Sequence, residues 1–329
     1  MKRREFIAVL GGAVAAWPLA ARAQQPDRIR RIGVLMNLTA DDAEGQTRLA
    51  AFLQGLQQAG WAVGRNVRID VRWGAGDAEL FRRYATELIA LTPDVVLAAG
   101  SVVTQSILNI SRTVPIVFAS AVDPVSYGIV ASLARPGGNA TGFTIFEFGI
   151  GGKWLELLKQ IAPRLTRVAV LRDPTAPSGM GQLGAIQSVA PSLGVELRPV
   201  DVRDPSEMER AIAAFAGASN GGLIVTQNTL AIIHRKVIIT AAARHRLPAL
   251  YAYRFMVTDG GLISYAPDTT EPYRRAAGYV DRILKGEKPA DLPVQAPVKY
   301  QLTINLKTAK VLGLDMPPTL LATADEVIE

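Results

Sequence analysis

The sequence predicts an α/β protein built as two doubly wound, Rossmann-like lobes joined by a hinge, and three observations carry that reading. Short β-branched runs alternate with longer segments of helical period, the pattern of a parallel sheet with crossover helices. The alternation occurs twice along the chain, separated by a stretch that begins in turn formers and ends extended. The 329 residues are 49% hydrophobic and 20% charged, which excludes disorder and suffices for two domains, each with its own core.

The first series places strands at 31–36, 66–71, 94–98 and 114–118, with helices near 43–59, 77–91 and 102–111. The run from Arg135 to Ile145, Arg-Pro-Gly-Gly-Asn-Ala-Thr-Gly-Phe-Thr-Ile, suits a strand passing between lobes, with a hinge at about 141–147. The second series places strands at 167–171, 195–200, 222–225 and 248–251, with helices near 151–161, 180–193, 205–216 and 230–245. A third portion, a strand at 260–265, a helix near 268–285 and a strand at 298–304, exceeds what the second lobe needs. The expected division is therefore 29–142 plus about 260–290 for the first lobe and 147–255 plus about 298–329 for the second. Such lobes set strand ends and helix N-termini on both walls of a cleft, where open α/β sheets bind ligands.

Residues 1–23 predict a cleaved bacterial signal peptide: Lys2, Arg3 and Arg4, then an uncharged run from 6 to 21, then Ala21-Arg22-Ala23 as a cleavage site. The Arg3-Arg4 pair followed by Glu5-Phe6-Ile7 resembles the twin-arginine type, whose substrates cross the membrane folded. The uncharged run is 16 residues, short of the roughly 20 that span a bilayer. Cleavage leaves 32 basic and 28 acidic side chains, a net charge of +4 spread along the chain, with no electrostatic motive for nucleic-acid binding. The chain has no cysteine, which excludes disulfides, zinc–cysteine sites and a lipidated N-terminal cysteine. A free periplasmic protein, not a lipoprotein, is implied.

Motifs of catalysis and cofactor binding are broken. Gly74-Ala-Gly76 opens a helix as a dinucleotide loop does, but Glu79 stands where the third glycine belongs. Before Lys153, Glu147 replaces the first glycine of a phosphate loop, and Trp154 follows where Ser or Thr would hold magnesium. Pro124 removes the first glycine of a nucleophile elbow around Ser126. His234 and His245, eleven apart on one predicted helix, match neither a metal pair nor a base beside Ser126. No cofactor and no metal are expected, and lone carboxylates are the remaining catalytic candidates.

Small polar, acidic and aromatic residues instead collect at the carboxyl ends of the predicted strands. Asn37, Leu38 and Thr39 follow the first; Gly100 and Ser101 follow the third and open a helix whose free N–H groups suit a carboxylate. Asp123 follows the fourth strand, Asp173 follows the first strand of the second lobe, and Gln227, Asn228 and Tyr253 follow its later strands. Tyr127, Phe146, Phe148 and Tyr253 are candidates to stack on a planar ligand.

Together, Arg31-Ile-Gly-Val-Leu, Gly60-Trp-x-x-Gly-Arg-Asn-Val67, Val122-Asp-Pro124 with Arg135-Pro-Gly-Gly-Asn-Ala-Thr-Gly142, Lys153-Trp-Leu-Glu-Leu-Leu158 and Asn305-Leu-Lys-Thr-Ala-Lys310 with Pro317-Pro318 resemble the tryptophan-type ABC transporter substrate-binding proteins. The resemblance implies a type I periplasmic-binding-protein-like fold that closes on a small solute and presents it to an inner-membrane permease, with Asn37, Ser101, Asp123 and Gln227 around the ligand. Some relatives bind aromatic amino acids. Val102 and the Gln227-Asn228 pair depart from the pattern; an acid is usual at the latter, where it pairs with a ligand amine. The resemblance implies a polar or aromatic solute, amino-acid-like or a carboxylate; with the catalytic motifs broken, the expectation is a monomer that is not an enzyme. A sensor of the same fold, and an enzyme using Asp123, Asp173 or Glu147, are the alternatives.

Overall fold

The computed structural model describes residues 28–329; the signal-peptide reading of 1–23 lies outside the described residues. In the first lobe the elements are β1 (Arg30–Met36), α1 (Ala43–Gln58), β2 (Val67–Trp73), α2 (Ala78–Ala90), β3 (Val95–Ala99), α3 (Ser101–Leu108), β4 (Ile116–Val122) and β5 (Ala140–Phe146). They form a five-stranded parallel sheet in the order β2-β1-β3-β4-β5. Both faces are covered, so the inner strands are largely apolar, unlike the edge strand β2 with its Arg68, Asp70 and Arg72: Ile32, Val34 and Met36 pack beneath α1, while Leu35 packs on the opposite side with Phe81, Ala85 and Leu88 of α2.

The second lobe begins with α4 (Ile150–Ile161), β6 (Arg167–Arg172), α5 (Pro177–Val189), β7 (Glu196–Asp201), α6 (Pro205–Ala216) and β8 (Gly221–Val225). It continues with α7 (Thr229–Ile233), α8 (Arg235–Arg244), β9 (Ala249–Tyr251), α9 (Arg254–Thr258) and β10 (Ile263–Ala266). The chain then returns to the first lobe as α10 (Glu271–Leu284) and comes back as β11 (Gln301–Asn305), α11 (Leu306–Leu312), α12 (Pro318–Thr323) and β12 (Glu326–Ile328). The resulting seven-stranded sheet runs β12-β11-β10-β9-β8-β6-β7, parallel except where β10 meets β11.

Two sequence assignments change. Residues 260–290 do not travel together: β10 pairs with β9 and β11 in the second sheet, whereas α10 buries Tyr273, Ala276, Ala277 and Val280 against α1 and the first sheet. The helix needs that face to cover the apolar side of β1 and β3, and the strand completes the neighbouring sheet. The proposed hinge at 141–147 is also mostly ordered strand. Residues 140–146 pair with β4, and Thr144 and Gly142 exchange backbone hydrogen bonds with Gln295 at 2.8 and 3.0 Å. The chain therefore changes lobe just beyond these paired segments, at 147–149, 267–270 and 296–300.

Gly142 explains how β4 and β5 lie so close. Its φ is +153°, and a Cβ there would overlap the Phe118 carbonyl oxygen and lie 2.7 Å from the Phe118 nitrogen. Only glycine fits both the backbone angle and the space.

Candidate functional site

The carboxyl ends of both sheets face each other across a cavity of about 330 Å³, within the size range of small-molecule sites. The first lobe contributes Asn37 after β1, Gly76 after β2, Gly100 and Ser101 at the start of α3, Ser120 and Val122 of β4, and Tyr127. The second contributes Asp173 and Thr175 after β6, Ser178 at the start of α5, Gln227, Asn228 and Thr229 after β8, and Tyr253 after β9. A parallel sheet ends all its strands at one edge, so loops remote in sequence meet there.

The lobes touch across this cavity. Asn37 Nδ2 donates to Thr229 Oγ1 at 2.7 Å, and Arg235 Nη1 donates to Asp42 Oδ2 at 2.6 Å. Tyr127 of the first lobe and Ser178 of the second both line the cavity, and burial pushes the Tyr127 ionisation upward. Gly76, at φ +72°, faces Leu230 and Ile233 so closely that a Cβ would stand 3.0 Å from Ile233 Cδ1. These contacts join the two lobes in a closed form.

Eight residues singled out from the sequence line the cavity: Asn37, Gly100, Ser101, Tyr127, Asp173, Gln227, Asn228 and Tyr253. Four do not. Leu38 is wholly buried in the core, and Thr39 supplies the carbonyl that accepts from Asp42 N in the turn before α1. Asp123, at φ +42°, turns to accept from Ser126 N at 3.1 Å and so shapes its own loop. Phe146 is 1% exposed and packs edge-on to Trp154 and Tyr253, bracing the latter from behind. Periodicity places a residue after a strand but does not say whether it faces cleft or core.

Within the lining, several side chains already serve the scaffold. Ser101 Oγ both accepts from Val122 N and donates to Val122 O, each at 2.9 Å, tying α3 to the end of β4. What Ser101 offers a ligand is its backbone N–H, since α3 has no side-chain cap. Gly100 holds φ +88° just before that helix. Asn228 caps α7 by accepting from Ala231 N at 2.6 Å. Gln227 N is held by Gln182 Oε1 at 2.9 Å, and the Gln227 side chain meets the Tyr253 hydroxyl. Burial keeps the Tyr253 phenol neutral, and its ring stacks on Phe255 at 5.1 Å.

Arg48, Ser120 and Ser178 were missed. Arg48 left a signal: it lies on α1 in the stripe Gly45, Leu49, Phe52, Leu56 that faces the core, with Glu44 one turn before. Its Nε donates to Glu44 Oε1 at 2.9 Å, and the guanidinium lies between the rings of Tyr253 and Tyr273 at 6.0 and 5.9 Å. Burial opposes the charge, but Tyr273, Glu44 and Tyr253 outweigh it and Arg48 stays protonated. Ser120 sits at an irregularity of β4, at φ +59°, which no pattern in the sequence marks.

A family profile for ABC transporter substrate binding proteins matches residues 32–328, nearly the whole described chain. The chain belongs to that family. It is a substrate-binding protein of an ABC transporter, a component that takes a small-molecule ligand and works with a membrane permease. Proteins of this family act outside the cytoplasmic membrane, and among the described residues no helix is long and apolar enough to cross one.

This substrate-binding protein is 24% identical over 263 residues to a "Tyrosine-binding protein" of Clostridioides difficile, covering 80% of this chain and 75% of that one. Its fold matches a Streptococcus pneumonia ABC domain in complex with L-Trp, with a TM-score of 0.84 at 23% identity, over 91% of this chain and 99% of the other. It also matches the ligand-free, open structure of a substrate binding protein with adhesive properties from Clostridium difficile, with a TM-score of 0.67 at 22% identity, over 91% and 99% of the two chains. The two-lobed, type I periplasmic-binding-protein-like fold follows.

Proposed function

We propose that this protein is exported to the periplasm, where as a monomer it closes on a small polar or aromatic solute between its lobes and delivers it to an ABC permease without covalent chemistry. The observation that carries the reading is the cavity itself: both lobes supply its walls, and Asn37–Thr229 and Asp42–Arg235 join them around it. A solute that contacts both walls favours the closed form by its differential affinity for closed over open, and the closed form reports occupancy.

The lining suits an amino-acid-like or carboxylate solute. Phe81, Tyr127 and Tyr253 give aromatic surface, while Asn37, Ser178, Gln227 and Thr229 give neutral polar groups. The names of relatives that bind tyrosine and hold L-Trp support the same class. Solute binding is favoured over acid–base chemistry because Asp173, the only carboxylate lining the cavity among the described residues, already accepts at Oδ1 from Thr175 N and Oγ1 at 2.9 and 2.6 Å. Residues 1–23 support export, and the Arg3-Arg4 pair supports the twin-arginine route.

The test is a thermal-shift screen of the purified exported protein against amino acids, aromatic acids, polyols and nucleosides. A solute at 100 times its dissociation constant stabilises by about 2.7 kcal/mol and raises the midpoint by several degrees. At least one class is expected to do so; a flat screen, with no small molecule retained in native mass spectrometry, contradicts solute binding.

A further inference from the structure

Three buried polar groups at the first-lobe wall have no partner outside their own cluster. Arg48 Nη2, Ser120 Oγ and Tyr273 Oη each lack a hydrogen-bond partner among the described residues. They are contiguous: the Tyr273 hydroxyl lies beside both the Ser120 and the Arg48 side chains. Arg48 is 2% exposed and Ser120 6% exposed, and both line the cavity. Because Glu44 occupies the Nε side of the guanidinium, the Nη edge is the part left to face the cavity and its floor. Beside Ser120, the backbone turns into α3: Gly100 N donates to Ala119 O at 2.8 Å. The first intrahelical bond there is Thr104 N to Gly100 O, so the N–H groups of Ser101, Val102 and Val103 lack intrahelical partners.

Buried polar groups without partners are rare in native structures and call for one. Here a permanently charged guanidinium and an uncapped helix N-terminus converge on one wall and favour negative charge, and the hydroxyl pair beside them can donate to the same group. A neutral sugar leaves the buried guanidinium edge without a counter-charge, and an ammonium is repelled by it. A carboxylate brings two oxygens with about four acceptor positions and completes the set.

We infer that this wall is a carboxylate subsite, in which the Nη edge of Arg48 and the N-terminus of α3 hold the carboxylate of the solute. The assignment rests on the solute-binding reading above and narrows it to organic acids. Arg48 then has two duties: with Glu44 it is a buried ion pair of the scaffold, and with its free edge it selects the solute.

The experiment compares acids with their own amides. Benzoate, phenylacetate, 3-(4-hydroxyphenyl)propionate and L-tyrosine, the matching amides, tyramine and myo-inositol are titrated against the full exported protein by thermal shift and calorimetry. At least one acid is expected to bind, with its amide weaker by about tenfold or more, the loss of one charge-assisted contact. Arg48→Gln is expected to abolish that preference. Because Arg48→Gln strands Glu44, the double variant Arg48→Gln/Glu44→Gln is measured alongside, and its preference is expected to vanish while its folding is retained. An amide, tyramine or myo-inositol binding as tightly as the acids overturns the carboxylate assignment and leaves solute binding standing. Retained acid preference in the folded double variant overturns the role of Arg48. Silence from every acid at about 10 mM overturns the subsite, and the wider screen then decides separately whether any solute binds.

Discussion

Breaking the ion pair across the cleft separates closure from solute contact, because Arg235 and Asp42 join the lobes without belonging to the cavity lining. Arg235→Met keeps an alkyl stem above Phe255, over whose ring the guanidinium lies at 5.8 Å, and removes the 2.6 Å bond to Asp42. The two side chains are 14% and 8% exposed, so the pair is stronger than a surface bridge of about 0.2–1 kcal/mol and approaches a charged buried hydrogen bond of about 1.5–3 kcal/mol. Opening does not strand either charge. Asp42 Oδ1 keeps its bonds from Glu44 N and Gly45 N, and Arg235 keeps Asp259 of its own lobe at 3.2 Å. The net contribution to closure is therefore about 1–2 kcal/mol, a shift of roughly 5- to 30-fold in the closed-to-open ratio. The chain has no cysteine, so two introduced at exposed Arg83 and Ser188 accept a donor–acceptor pair for single-molecule energy transfer. Asp42→Asn retains the helix cap and closes a double-mutant cycle. A shift below twofold, or additive single effects in the cycle, refutes the argument that this pair holds the lobes together.

Other consequences are equally direct. Gly142→Ala forces a Cβ onto the Phe118 backbone at positive φ and is expected to cost about 2–5 kcal/mol, read from the denaturant midpoint; an unchanged midpoint contradicts the close approach of β4 and β5. Burial lowers the His234 pKa below its ordinary 6.5, so the folded state binds fewer protons than the unfolded one. Its contribution is then present above 6.5 and lost as the pH falls below that value toward the folded pKa. His234→Gln is expected to flatten the pH dependence of stability between about pH 7 and 5, and an identical slope removes His234 as the cause. Arg3→Lys with Arg4→Lys is expected to stop export, measured by fractionation, whereas continued secretion points to the general pathway.

The lobes were legible because their inner strands are buried on both faces and so read as apolar runs, as in Val95–Ala99 and residues 116–119. The helix at 271–284 was placed in the first lobe by elimination, and the neighbouring strand at 263–266 was misplaced with it, because a short apolar strand fits either sheet until its pairing is known. At the cleft, Asn37, Gly100, Gln227 and Tyr253 followed from their positions after strands. Leu38, Asp123 and Phe146 occupy equally suggestive positions, but the chain turns them into core or loop. Arg48 was readable in principle as a charge inside an apolar helical stripe. Ser120 was not, since its exposure to the cavity comes from an irregularity in strand pairing. Tyr273 reaches the site only because a helix more than a hundred residues from the first sheet's last strand returns to cover it.

The central claim is that the protein closes around a solute held between its lobes, and small-angle X-ray scattering tests it most directly. The exported protein is titrated with the solute that gives the largest thermal shift, and its radius of gyration is followed to saturation. The account predicts that the radius falls in step with occupancy and that the saturated curve matches the one calculated from this closed structure. Superimposable curves with and without saturating solute, in a protein whose calorimetry shows binding, contradict it.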